Sequence, residues 1–283
     1  MTSLPGLLDT SVERVEGRRV RFARRGTGSP LVLLHGYPET LQIFSALAPL
    51  MEATHEVWAF DWPGMGDSEA WSGGASPVQM AERIVRLMDH FGIERTILLG
   101  MDMGGQPALV AAAQWPDRID RLVVMNSLVF GDESTSWEIR LLRERGWNRI
   151  LIENFPRAVF YRAERTFLPS GCRLERRIRD DFWSRFRRPV VRSYISRMCA
   201  GYQALLPKLP EYYERVRCPT LALWGDRDKH FPVIQGTCLH QAVAGSELSI
   251  VPHGHHWMVW NRAEEIASRV LAFSVPTVSH DLR

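Results

Sequence analysis

The sequence predicts an α/β fold: a mostly parallel sheet with helices on both faces, interrupted by an inserted helical segment. Three observations carry this expectation. Short apolar runs of strand type alternate with longer segments of helical period through residues 1–130. That alternation stops at 131–215, where the period is helical and no clear buried strand occurs. It resumes at 216–283.

The elements follow in order. Val20–Arg25 alternates and reads as a strand; Gly26–Pro30 turns; Leu31–Leu34 is wholly apolar, the pattern of a strand covered on both faces. His35-Gly36-Tyr37-Pro38 ends it, and an amphipathic helix is expected over Leu41–Glu52. Glu56–Phe60 is the next strand and runs into the turn-rich Asp61–Ser68. Helix Pro77–Phe91, strand Thr96–Leu99, helix Gly105–Trp115 and strand Leu122–Met125 complete a βαβαβ series. After the insertion come strand Pro219–Trp224, helix Gln235–Val243, strand Glu247–Val251 and helix Asn261–Phe273; the tail from Pro276 has no element pattern.

Composition narrows the function classes. A chain of 283 residues with 45% hydrophobic content can bury a sizeable core. Its four cysteines, Cys172, Cys199, Cys218 and Cys238, have no C-x-x-C spacing, so reduced thiols are expected rather than zinc or a disulfide framework. Met1–Val15 has no basic segment before an apolar run, and no apolar stretch approaches membrane-spanning length. A cytoplasmic protein without a membrane partner is expected. The net charge of +3 is uneven: residues 131–215 carry 18 of the 35 Lys and Arg and 11 of the 32 Asp and Glu, which makes them +7 and the rest −4. Acids interleave with the arginines at helical spacing, as in Arg176-Arg177-Ile178-Arg179-Asp180-Asp181. That favours a solvated helical face over a nucleic-acid footprint, with an anionic substrate as the lesser reading.

The chemistry centres on Gly100-Met101-Asp102-Met103-Gly104, a small-x-acid-x-small turn between strand and helix. Turns of this kind usually hold a serine nucleophile. A serine attacks carbonyl carbon after losing its proton, whereas a carboxylate is already ionised and suits displacement at saturated carbon. Asp102 therefore moves the expected substrate from esters towards epoxides or organohalides. Three further segments fall at strand ends, where open parallel sheets bind ligands: His35-Gly36-Tyr37-Pro38, Gly225-Asp226-Arg227-Asp228, and Pro252-His253-Gly254-His255-His256-Trp257. Along the chain, the order is nucleophile, acid, histidine.

With these motifs in this order, the chain resembles the α/β-hydrolase fold superfamily from about Val20 to Phe273, with a core of 1–130 and 216–283 and a helical cap at 131–215. Asp102 and His-Gly-x-Pro together resemble its aspartate-nucleophile branch, the epoxide hydrolases and the haloalkane or haloacid dehalogenases. The resemblance implies that Asp102 forms an alkyl ester and that His256, rather than His255 or His253, activates water to cleave it. It implies that Asp228, rather than Asp226, orients the imidazole; Met125-Asn126-Ser127 offers no acid at the alternative place used by some relatives. The backbone amides of Tyr37 and Met103 are then the oxyanion donors, Pro38 follows a cis bond, and His35 is structural. No cofactor and no metal are implied.

The leaving group separates the branches. An opening epoxide needs an acid such as a phenol, whereas a departing halide needs N–H donors. Met103 and Tyr37 stand where dehalogenases of this branch carry Trp or Arg and Asn. Tyr202 lies closest to the place of an epoxide hydrolase cap tyrosine, Trp147 stands where another tyrosine would be, and Tyr161 is a substitute for it. A cofactor-free epoxide hydrolase acting on a small molecule is the leading expectation. A dehalogenase using Trp147 is the alternative, and a receptor or non-hydrolytic cyclase on the same fold is a second. Oligomeric state is left open.

Overall fold

Strands form where the apolar runs are densest. The computed structural model describes residues 6–131, 135–143 and 145–275. Its eight strands are β1 (Ser11–Val15), β2 (Arg18–Arg25), β3 (Ser29–Leu34), β4 (His55–Phe60), β5 (Thr96–Met101), β6 (Ile119–Met125), β7 (Thr220–Gly225) and β8 (Glu247–Val251). They form one sheet in the order β1-β2-β4-β3-β5-β6-β7-β8. β2 is antiparallel to both neighbours, and the pairs from β4 to β8 are parallel. Every residue of the central β5 and of β7 is buried, as a sheet covered on both faces requires.

Helices cover the faces. α1 (Ala48–Met51), α2 (Pro77–His90) and α3 (Gly105–Gln114) lie between the early strands, and α10 (Val233–Ala242), α11 (Met258–Asn261) and α12 (Ala263–Ser274) follow β7 and β8. α2 begins with a capping box between Ser76 and Gln79 and has Pro77 in its first turn. α3 is buried nearly all round, so no polar stripe marks it as amphipathic. Between β6 and β7 come α4 (Trp137–Arg143), α5 (Arg145–Asn154), α6 (Pro156–Phe167), α7 (Arg176–Phe186), α8 (Pro189–Leu205) and α9 (Pro210–Tyr213), the inserted helices anticipated at 131–215.

Three local expectations are corrected. β1 was not anticipated, because its Ser-Val-Glu-Arg-Val is mostly exposed. It pairs with β2 across Glu16 and Gly17, both at positive φ, a tight hairpin of the kind two-residue loops adopt. The helix expected over Leu41–Glu52 is a 3₁₀ turn, Leu41–Ser45, followed by the short α1. Pro49 has no amide proton to continue the first turn into the second. The last helix starts at Ala263, not Asn261, after the separate turn of α11. The tail from Pro276 lies outside the described residues.

A buried ionic cluster joins the inserted helices to the sheet. Arg21 of β2 contacts Asp61 at 3.2 Å and Asp181 of α7 at 3.1 Å, and all three side chains are almost fully buried. Thr40 donates to Asp181 at 2.6 Å, and the amides of Leu41 and Asp67 donate to Asp61. Arg185 of α7 extends the set to Asp67 at 2.7 Å. Burial pushes the Asp61 carboxyl up, and the Arg21 guanidinium opposes that shift. Removing one member of such a set leaves uncompensated buried charge. Arg21→Met is therefore expected to lower unfolding free energy by about 3–5 kcal/mol in urea melts at pH 7. A loss close to zero would mean that Asp61 and Asp181 find other partners.

Candidate active site

The loop after β3 and the turn after β5 meet at Asp102. Asp102 has φ 48°, a left-handed value that is uncommon outside glycine, at a sharp turn from strand into helix. The turn fits because its neighbours are small. A Cβ on Gly104 would overlap the Leu34 carbonyl, and one on Gly36 would overlap the Asp102 side chain itself. The Asp102 amide donates to the Asn126 carbonyl at 3.1 Å, and the Ser127 hydroxyl donates to the Asp102 carbonyl at 2.6 Å.

The structure brings Asp102, His256 and Asp228 together. His256 Nε2 lies 3.3 Å from Asp102 Oδ2, and its Nδ1 lies 2.7 Å from Asp228 Oδ2. Asp228 is fixed in turn by the amides of His230 and Phe231, at 2.8 and 3.1 Å. Of the rival residues, His253 and Asp226 are exposed and His255 is half-buried; none of these contacts involves them. The Tyr37 amide donates to Asp102 Oδ2 at 3.3 Å, and the Tyr37–Pro38 bond that follows is cis. Met103 lines the same pocket as Asp102. His35 is fully buried, with Nδ1 at 2.7 Å from the Gly36 carbonyl and Nε2 accepting from the Trp62 amide at 3.3 Å. Both contacts belong to the loop's frame.

The expected leaving-group residues separate. Tyr202 of α8 is 4% exposed and lines a pocket of about 40 Å³ with Asp102, Met103, Tyr37 and Cys199. Its hydroxyl has no hydrogen-bond partner among the described residues. Tyr161 and Trp147 do not line this pocket. Tyr161 is 48% exposed and stacks on Trp183, and Trp147 is 53% exposed on α5. Helical period fixed their spacing, but it did not fix which side of the insertion faces the sheet.

Two residues escaped the sequence reading. Asn126 donates through Nδ2 to the carbonyls of His255 and His256, at 3.1 Å each, and accepts from the Gly225 amide at 3.0 Å. Glu39, immediately after His-Gly-Tyr-Pro, is buried beside the site; the Gly36 amide donates to it at 3.0 Å and the Trp257 indole also donates to it. Its place beside a recognised loop motif was the only sequence signal. Glu39, Asp102 and His256 offer ligand atoms within 4.8 Å of one another. Glu39 already accepts the protons of the Gly36 amide and the Trp257 indole, and the two ring nitrogens of His256 already face oxygens of Asp228 and Asp102. The set therefore reads as a proton-sharing cluster, not as a cation site.

Electrostatics couples these groups. Burial alone would lower the His256 pKa, but the Asp228 charge, joined by hydrogen bonds and charge from Asp102, raises it to about 10. The resting histidine is thus an imidazolium at neutral pH. Burial, and then the nearby Asp102, raises Glu39 to about 8. Burial keeps the Tyr202 phenol protonated.

A family model described as alpha/beta hydrolase fold matches residues 29–263. The chain is 29% identical over 233 residues to a 2-hydroxy-6-oxononadienedioate/2-hydroxy-6-oxononatrienedioate hydrolase of Klebsiella pneumoniae, covering 80% of this chain and 78% of the relative. Among solved structures, an α/β-hydrolase fold protein of Burkholderia ambifaria superposes with TM-score 0.80 at 24% identity, covering 94% and 99% of the two chains. An enol-lactonase of Burkholderia xenovorans superposes with TM-score 0.77 at 21% identity, covering 93% and 99%. The curated relative is named as a dienedioate hydrolase, not as the epoxide hydrolase or dehalogenase that Asp102 suggested.

Two pH effects follow. Asp102→Asn removes a negative charge from beside the imidazolium, so His256 should titrate well below about 10 when followed by histidine NMR; an unchanged value would exclude Asp102 as a cause of the shift. Between 4.5, its ordinary value, and about 8, buried Glu39 holds a proton that the unfolded chain has released. Stability therefore falls as pH rises through that window. Glu39→Gln should flatten the fall in thermal melts taken across it.

Proposed function

The chain belongs to the α/β-hydrolase fold family, and from that premise we propose that it hydrolyses its substrate through an ester between Asp102 and a saturated carbon, opening an epoxide to a vicinal diol. The observation that carries this reading is the unpartnered, buried Tyr202 phenol in the same pocket as an aspartate at the nucleophile turn.

In the first half-reaction Asp102 attacks an epoxide carbon and the carbon–oxygen bond breaks. The Tyr202 hydroxyl donates to the departing oxygen, and the imidazolium supplies the proton that leaves it neutral. Tyr37 also lines this pocket and offers a second phenol, the part assigned from sequence to Tyr161 or Trp147. Esterification uncharges Asp102, which removes one of the causes holding His256 near a pKa of 10. The imidazole is then free to take a proton from water. Hydroxide adds to the Asp102 carboxyl carbon, and the Tyr37 and Met103 amides receive the oxyanion. Collapse expels the diol oxygen, which takes up the proton that the added hydroxyl carries, so Asp102 returns as a carboxylate and His256 stays an imidazolium. Asp228 holds the ring in place throughout. Phe167 and Phe231, with ring centroids 4.2 and 5.4 Å from that of His256, limit water at the site. The helices at 131–215 act as the cap that brings Tyr202 to the nucleophile.

Halide chemistry fits less well, because no indole lines the pocket around Asp102 among the described residues. A second reading, carbon–carbon hydrolysis of a hydroxy-oxo-dienedioate, has the name of the Klebsiella relative in its favour; there Asp102 would act as a base instead of a nucleophile.

Intact mass separates them. After exposure to styrene oxide, His256→Gln should gain the whole mass of the epoxide, on the peptide that carries Asp102. A single wild-type turnover in ¹⁸O-water should leave the label in the Asp102 carboxyl. Tyr202→Phe should slow alkylation by about 100-fold or more. Cleavage of the dienedioate, with no adduct from any epoxide tried, would replace this reading with the second.

A further inference from the structure

The catalytic pocket continues outwards. It shares Tyr37, Ile139 and Phe167 with an apolar chamber of about 500 Å³ walled by residues such as Leu141, Leu151, Phe155 and Val159. That chamber shares Glu138, Arg162, Thr166 and His230 with an outer cavity of about 440 Å³. The two ends differ in character: the chamber is hydrocarbon, whereas Arg162, Arg165, Arg173 and Lys229 line the outer cavity against one acid, Glu138.

Glu138 is already matched, at 2.5 Å, by Arg162. Arg165 and Lys229 are exposed and have no ion-pair partner among the described residues, and Arg173 donates only to the neighbouring Cys172 carbonyl. An excess of cations in a concave site attracts and holds an anion. A second, independent observation is the side chain of His230, which lines both cavities at 4% exposure. Its Nδ1 lies 2.9 Å from the Ser136 hydroxyl, which itself accepts from the Ile139 amide at 3.3 Å. In the tautomer where the Ser136 hydroxyl donates to Nδ1, Nε2 is an N–H donor, and Nε2 has no partner among the described residues. Burial keeps this ring neutral, with a pKa lowered to about 4.

We propose that the outer cavity is a subsite for an oxyanion such as a carboxylate, so that the substrate is amphipathic, with its reactive carbon at Asp102, an apolar body in the chamber and an anionic end at Arg165, Lys229 and His230. The claim about the reactive carbon rests on the proposed epoxide chemistry; the claim about the anionic end does not.

Two measurements keep these apart. Turnover of 10,11-epoxyundecanoate should exceed that of its methyl ester by about tenfold in kcat/KM at low salt, the scale of one charge-assisted contact. Arg165→Gln/Lys229→Gln should erase that preference through KM and leave the methyl ester unaffected. Arg177→Gln, an exposed charge on α7 outside the cavity, should leave the preference intact. Binding of undecanoate, followed calorimetrically without any reaction, should weaken about tenfold in the double variant. Equal turnover of acid and ester by the wild type, or an equal loss on both in the double variant, overturns the subsite. If neither epoxide reacts yet undecanoate binding still depends on Arg165 and Lys229, the subsite stands and the epoxide reading falls.

Discussion

The site depends on one asparagine. Asp102, Asp228 and His256 arrive on loops from three different strands, and Asn126 bonds to all three loops. Its carbonyl accepts the Asp102 amide, its Oδ1 accepts the Gly225 amide three residues before Asp228, and its Nδ2 donates to the carbonyls of His255 and His256. Asn126 itself sits at φ 42°, a conformation that asparagine tolerates better than most side chains. Asp102 is held at a similarly unfavoured φ, and such strain persists only where the surroundings over-determine it. The Ser127 hydroxyl on the Asp102 carbonyl completes that clamp.

The fold was legible because apolar density and strand order are written locally. Leu31–Leu34 and Thr96–Leu99 announce buried parallel strands whatever surrounds them. The grouping of Asp102, Asp228 and His256 was legible too, since they follow the ends of β5, β7 and β8. What stayed hidden depends on contacts between distant segments. β1 carries charges and pairs only because Glu16 and Gly17 turn the chain back. Nothing near Asn126 marks it as more than a residue after a strand, and Glu39 acquires its proton only from burial and from Asp102, far away in sequence. Which helical tyrosine faces the nucleophile is decided by packing between helices: Tyr202 on α8 points in, while Tyr161 on α6 stacks against Trp183.

Charge is distributed so that the two halves of the proposed reaction hand over to each other. Two aspartates flank one imidazolium, and a neutral Glu39 lies beside them. While Asp102 is anionic, the histidine is held protonated and cannot compete for water; once Asp102 is esterified, only Asp228 still holds the ring. In the proposed reaction the base strength of His256 would thus report whether Asp102 is esterified, without any movement of the backbone. Glu39 adds a third buried acid without adding a third neighbouring negative charge, which would lift the imidazole further and delay its service as a base.

The Arg21 cluster bears on how such a protein can be rebuilt. Exchanging the segment between β6 and β7 is a natural way to graft a new specificity onto this sheet. That segment, however, owns half of an electrostatic joint whose other half is fixed in β2 and in the Asp61 turn. A donor segment with nothing in the place of Asp181 would strand Thr40 and part of a guanidinium in a dry crevice. Compatibility between donor and host is therefore a matter of charge bookkeeping at a single buried point as much as of shape. Libraries that carry the acid with the transplanted helices begin from a sound joint.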